Sequence, residues 1–138
     1  MKAPVKIGTS HEIQFVVESA HLIDFAAGGM PAVLSTPRLI GLLERTAREA
    51  LEPFLEAEER SVGIEIELRH LAPTPPGQRV TCTARVIQRE GKQVLFHIEA
   101  RDEQERIARG SHKRAIIRVE SFTRRVQEKL AAQQSPRS

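Results

Sequence analysis

Two residues stand where an apolar side chain would serve the structure better. Glu44 lies within the helical stretch 36–51, and His70 closes the alternating stretch 61–71. A carboxylate and an imidazole held together perform general acid–base or nucleophilic chemistry. Thr36 adds a hydroxyl where the helix begins. Free N–H groups and the helix dipole favour an anion or a developing oxyanion at such a point. Each residue also has a plainer reading. Glu44 can reach solvent or pair with Arg48, four residues on. His70 can be a core histidine or sit at a frayed strand end. Thr36 can be an ordinary N-cap.

Phase singles these residues out. At 100° per residue from Arg38, the apolar side chains Leu39, Ile40, Leu42, Leu43, Ala47, Ala50 and Leu51 centre near 150°, whereas Arg45, Arg48, Glu49 and Glu52 gather near 340°. Glu44 falls at about 240°, on the edge of the apolar stripe. A carboxylate there loses water and needs a donor or a cation to stay charged. His70 continues the series Val62, Ile64, Ile66, Leu68. A regular strand points it to the same apolar face.

The elements that must position them read as follows. Residues 10–19 alternate as a strand, with Ile13, Phe15 and Val17 on one side. Residues 20–35 are irregular, punctuated by Gly28-Gly29 and Pro31. Thr36 before Pro37 predicts a helix start with Thr36 as the cap, and Pro53 bounds the helix just beyond Leu51. Strands follow at 61–71, then through Val80, Cys82, Ala84 and Val86, and through Val94, Phe96, Ile98 and Ala100. Glu90-Gly91-Lys92 is a hairpin signal between the last two. A last strand runs over 107–119 with Ala115, Ile117 and Val119 in phase. This order predicts an α+β fold, one long helix packed on a five-stranded antiparallel sheet, the plan of the hotdog fold. Residues 1–125 form the single domain, and 126–138 a short helical or disordered basic tail.

The remaining chemistry-bearing residues point elsewhere. His97 falls on the outer face and His112 shares its phase with Arg114; His11 and His21 flank the first strand. No histidine pair has i, i+4 spacing and there is no His/Cys cluster, so no metal site is expected. Phosphate-loop, dinucleotide and nucleophile-elbow motifs are absent. The one cysteine, Cys82, reads as core packing, and its solitude fits a cytoplasmic protein. In a chain of 138 residues, no stretch is apolar enough to span a membrane and the N-terminus lacks a secretory pattern. Charge is uneven: residues 101–138 carry ten basic and five acidic side chains, against eleven and thirteen before them. That excess suits a phosphate-bearing small molecule, an acidic lipid surface or a solvated face. Without Tyr, Trp or a recognition motif, nucleic-acid binding is not expected.

Five segments together resemble the hotdog-fold thioesterases related to fluoroacetyl-CoA thioesterase: 30–36 (MPAVLST), 41–44 (GLLE), 61–63 (SVG), His70 with 72–77 (APTPPG), and 110–114 (GSHKR). The resemblance implies hydrolysis of a small acyl-CoA thioester to free acid and CoA, with Thr36, Glu44 and His70 as the catalytic group. It implies that Gly63 and Arg114 contact the substrate. It implies no cofactor, CoA being part of the substrate, and a homodimer with sites near the interface. One departure concerns selectivity. The fluoroacetyl-specific pattern has Phe at the positions of Ala27 and Met30, in a longer segment, so selectivity for fluoroacetyl-CoA is not expected. The rival reading is a non-catalytic acyl-CoA-binding hotdog protein; the sequence leaves it open.

Overall fold

The computed structural model describes residues 1–134. Strand β1 (Ser10–Val16) leads through an irregular segment to helix α1 (Thr36–Leu51). Strands β2 (Glu59–His70), β3 (Arg79–Glu90), β4 (Gln93–Arg101) and β5 (Arg106–Arg118) follow, then helix α2 (Val119–Gln134). The five strands form one sheet in the order β1-β3-β4-β5-β2, every neighbour antiparallel.

Helix α1 lies on one face of this sheet. Its Leu39, Leu43, Ala47 and Leu51 are fully buried against Val80, Cys82, Ala84 and Val86 of β3 and Val94, Phe96, Ile98 and Ala100 of β4. The alternation read from sequence in β3 and β4 is the inner face as observed. Each buried Leu contributes about 1.5–3 kcal/mol, so packing outweighs the ~1 kcal/mol that a cap supplies. Burial pushes the Cys82 thiol up to about 12, which suits a packing residue and not a nucleophile.

Three expectations are corrected. The cap of α1 is Ser35, whose hydroxyl accepts from the Arg38 N–H at 3.4 Å; Thr36 is the first helical residue. Strand β2 does not keep one phase. Its register with β5 shifts between Gly63 and Glu65, a bulge that inserts Ile64 and leaves that side chain 47% exposed. Ser61 and Gly63 therefore face α1 before the bulge, and Ile66, Leu68 and His70 after it, while Val62 and Ile64 leave the series. Strand β5 turns the opposite way from the expected face: His112, Arg114 and Ile116 are buried, whereas Ala115 and Ile117 are half-buried and Val119 begins α2. Pairing with β4 imposes this, because Phe96 sits opposite His112 and Ile98 opposite Gly110. Antiparallel partners share a face, so the apolar face of β4 selects the even residues of β5.

Helix α2 is longer than the short tail expected and crosses residue 125. It buries no residue, and its Phe122, Val126 and Leu130 are exposed. Residues 135–138, at the end of the tail expected to be disordered, lie outside the described residues.

Candidate active site

With Ser35 serving as the cap, the hydroxyl of Thr36 is released for another partner. It lies 2.7 Å from Nδ1 of His70. The antiparallel sheet brings β2's last residue to the first turn of α1, and a backbone bond from Leu71 N–H to the Ile107 carbonyl anchors the strand end. The buried Nε2 of His70 has no hydrogen-bond partner among the described residues. Burial lowers the His70 pKa, with a smaller opposing contribution from the Ala72 backbone, so the ring is held toward its neutral form. A neutral imidazole with Nδ1 on a hydroxyl is equipped to accept or donate a proton.

A second cluster lies under the middle of α1. Glu44 is half-buried and does not pair with Arg48, which sits 3.8 Å from Glu52 instead. The Glu44 carboxylate reaches the inner face of β2 at Gly63. A Cβ built on Gly63 would lie 3.0 Å from Glu44 Oε2, 3.1 Å from His112 Cε1 and 3.5 Å from an Arg114 terminal nitrogen. Gly63 thus leaves room for three side chains at once.

Arg114, only 4% exposed, donates from Nε to the Ser61 hydroxyl at 2.9 Å and from its second terminal nitrogen to the Ser61 carbonyl at 2.8 Å. The remaining terminal nitrogen lies 3.2 Å from His112 Nε2, and His112 Nδ1 lies 2.9 Å from the Glu65 carbonyl. A carbonyl only accepts and a guanidinium only donates, so His112 carries its proton on Nδ1 and accepts at Nε2. Burial is the main cause of its lowered pKa, and Arg114 adds to it. His112 is the functional candidate that sequence phase missed. The signal that finds it is hairpin parity: once β4 and β5 pair with even sums, the even residues of β5 must face the helix.

Within one protomer the two clusters are separate. Eight residues of helix place Glu44 about 12 Å from Thr36 along the axis. Seven residues of strand place Gly63 about 20 Å from His70. Thr36 and His70 meet; Glu44 meets Gly63, His112 and Arg114.

Beside the Thr36–His70 pair is a cleft of ≈ 300 Å³, walled by Ile23, Phe25, Met30, Val33 and Leu71. A larger concavity of ≈ 670 Å³ lies near Glu67, His97 and Arg109 on the opposite sheet face, away from both clusters. Among the described residues, no group of three or more His, Cys, Asp or Glu is placed to hold a metal ion, and no helix is long and apolar enough to cross a membrane.

Residues 16–120 match the model of the fluoroacetyl-CoA-specific thioesterase family, FlK. The chain belongs to that family. The fluoroacetyl-CoA thioesterase of Streptantibioticus cattleyicolor is 34% identical over 143 residues, covering 96% of this chain and 99% of the relative. The crystal structure of the fluoroacetyl-CoA thioesterase FlK superposes with a TM-score of 0.83 at 31% identity, covering 97% of this chain and all of the other. A hot-dog-like protein from Thermanaerovibrio acidaminovorans superposes at 0.84 with 25% identity, covering 95% and 94%. This FlK-family chain is therefore a hotdog-fold acyl-CoA thioesterase.

Proposed function

We propose that the protein hydrolyses a small acyl-CoA thioester, without selectivity for fluoroacetyl-CoA, using Thr36, Glu44 and His70. The observation that carries this reading is the 2.7 Å contact between Thr36 and His70 Nδ1 beside an apolar cleft. Thr36 orients the imidazole and the thioester carbonyl. Glu44 supplies the electron pair, either attacking the carbonyl to give an anhydride that water then opens, or taking a proton from the attacking water. In both routes the C–S bond breaks, sulfur leaves with the electron pair as a thiolate, and the water consumed supplies the hydroxyl of the acid and, relayed through the His70 imidazole, the proton that makes the free thiol. One water is consumed. Gly63 and Arg114 border the substrate, Gly63 by leaving space and Arg114 by its charge behind Glu44.

The separation of the two clusters supports a homodimer. Strand β2 is a 12-residue edge strand, a surface suited to pairing with its own copy. Antiparallel pairing of β2 with its own copy brings the Gly63 end of one protomer toward the His70 end of the other. Glu44 then joins the Thr36–His70 pair across the interface. The single reduced cysteine, buried in the core, suits the cytoplasm.

Free-thiol release from a panel of acyl-CoAs tests the reading. Turnover is expected, with Glu44→Ala and His70→Ala each lowering it by about 10²-fold or more. Tight binding without thiol release across the panel identifies a non-catalytic acyl-CoA binder instead.

A further inference from the structure

We infer that the acyl group is an aliphatic chain longer than acetyl, seated in the cleft walled by Phe25, Met30 and Leu71; this rests on the thioesterase reading above. Three large apolar side chains are held out of the core at this one place. Phe25 is 62% exposed, Leu71 48% and Met30 42%. Isolated exposed apolar residues need no explanation, but a cluster beside a reactive pair marks a surface that a ligand covers.

The walls are built, not incidental. The segment that carries Phe25 and Met30 leaves and rejoins the body through paired backbone: Ile23 N–H bonds the Val33 carbonyl at 2.9 Å, and Leu22 bridges to Leu34. Its tip turns at Gly28 and Gly29, both with positive φ, a conformation glycine adopts without strain. Ser35 N–H then bonds the His21 carbonyl at 2.8 Å, fixing the segment to the start of α1. The opposite wall, Leu71 and Ala72, directly follows His70. Thr36 and His70 are the polar groups lining the cleft. A chain entering it therefore has its carbonyl at the pair and its tail among carbon atoms.

Size sets the class of substrate. The cleft, ≈ 300 Å³ and open on one side, is larger than a two-carbon acyl group fills. Straight or branched aliphatic chains of about four to eight carbons use the space. An ionised dicarboxylic acyl group would bury its distal carboxylate against carbon and is disfavoured.

The test is kcat/KM, by free-thiol release, for acetyl-, fluoroacetyl-, butyryl-, hexanoyl-, octanoyl- and succinyl-CoA with the full chain. From acetyl to hexanoyl it is expected to rise about two- to fourfold per methylene, less than complete burial gives because the cleft is open on one side. Phe25→Ala and Leu71→Ala are expected to flatten that slope. Both residues are exposed, so their truncation opens no core cavity, and circular dichroism checks the fold. Phe122→Ala, on α2, is the control and keeps the slope. If no thioester is cleaved, the thioesterase reading itself fails. If acetyl- or fluoroacetyl-CoA is cleaved as well as hexanoyl-CoA, the enzyme stands and the aliphatic preference is overturned. A slope that survives both truncations also overturns it, because the chain then lies elsewhere.

Discussion

Gly63 and Glu44 share one small volume. The position a Cβ would take at residue 63 is 3.0 Å from the Glu44 carboxylate and 3.1 Å from the His112 ring. Gly63 does not have positive φ, so its role is space and not backbone freedom.

Gly63→Ala should therefore act on Glu44 and not on the fold. The methyl must displace a carboxylate and a buried ring together. A misplacement of even an ångström costs about 10²-fold in rate. We expect thiol release to fall between tenfold and a hundredfold, with a melting temperature within a few degrees of the parent. A variant that unfolds early, or one with full activity, contradicts this account.

If Glu44 serves the Thr36–His70 pair of the other protomer, inactive variants should complement. Mixing unfolded Glu44→Ala and His70→Ala chains and refolding them together makes half of the dimers mixed. Each mixed dimer has one intact site, so activity should return to about a quarter of the parent value for a two-fold interface. Recovery no greater than the sum of the separate variants places all three groups in one chain.

Half-buried His70 and buried His112 predict an acid-side loss of stability. Burial lowers both His70 and His112 below the ordinary value of 6.5. Between the folded and unfolded values, the unfolded chain binds more protons. Stability is then fully present above the unfolded value and is lost as pH falls below 6.5 toward the folded values. The carboxylates with lowered values, Glu49, Glu59 and Asp102, act further down, below their ordinary 4.5 for Glu and 3.8 for Asp. Melting temperature should thus be flat at and above about pH 7.5 and decline from 6.5 to 5. His112→Gln, which keeps a donor and an acceptor, should shrink that decline. An unchanged slope means that other groups cause it.

Adjacent hydroxyls should separate stability from activity. Ser35 caps α1, so Ser35→Ala should cost about 1 kcal/mol, and about 3–6 °C in melting temperature, while retaining turnover. Thr36→Ala removes the hydroxyl on His70 Nδ1 and should lower turnover by tenfold or more with little effect on the melt. Equal effects of the two substitutions in both measurements would falsify the division of labour.

Sequence alone determined what depends on local chemistry. The span of α1 follows from helical period and Pro53, and the inner faces of β3 and β4 follow from strict alternation of Val, Ala, Phe and Ile. His97 is partly exposed on the outer face beside Glu99, as its phase required. Glu44 and His70 were visible as polar residues at apolar phase.

Tertiary pairing decided the rest. Ser35 and Thr36 are both competent caps, and only the arrival of His70, at the end of the next strand, assigns their roles. One inserted residue, Ile64, reverses the face of half of β2, an effect that composition does not encode. Strand β5 has apolar residues on both phases, so β4 chose which set went inside and thereby buried His112 and Arg114. Whether Glu44 works with His70 depends on a longer-range fact still, the way the free edge of β2 finds its partner. Side-chain identity specifies what chemistry a residue can do; register across strands specifies which residues do it together.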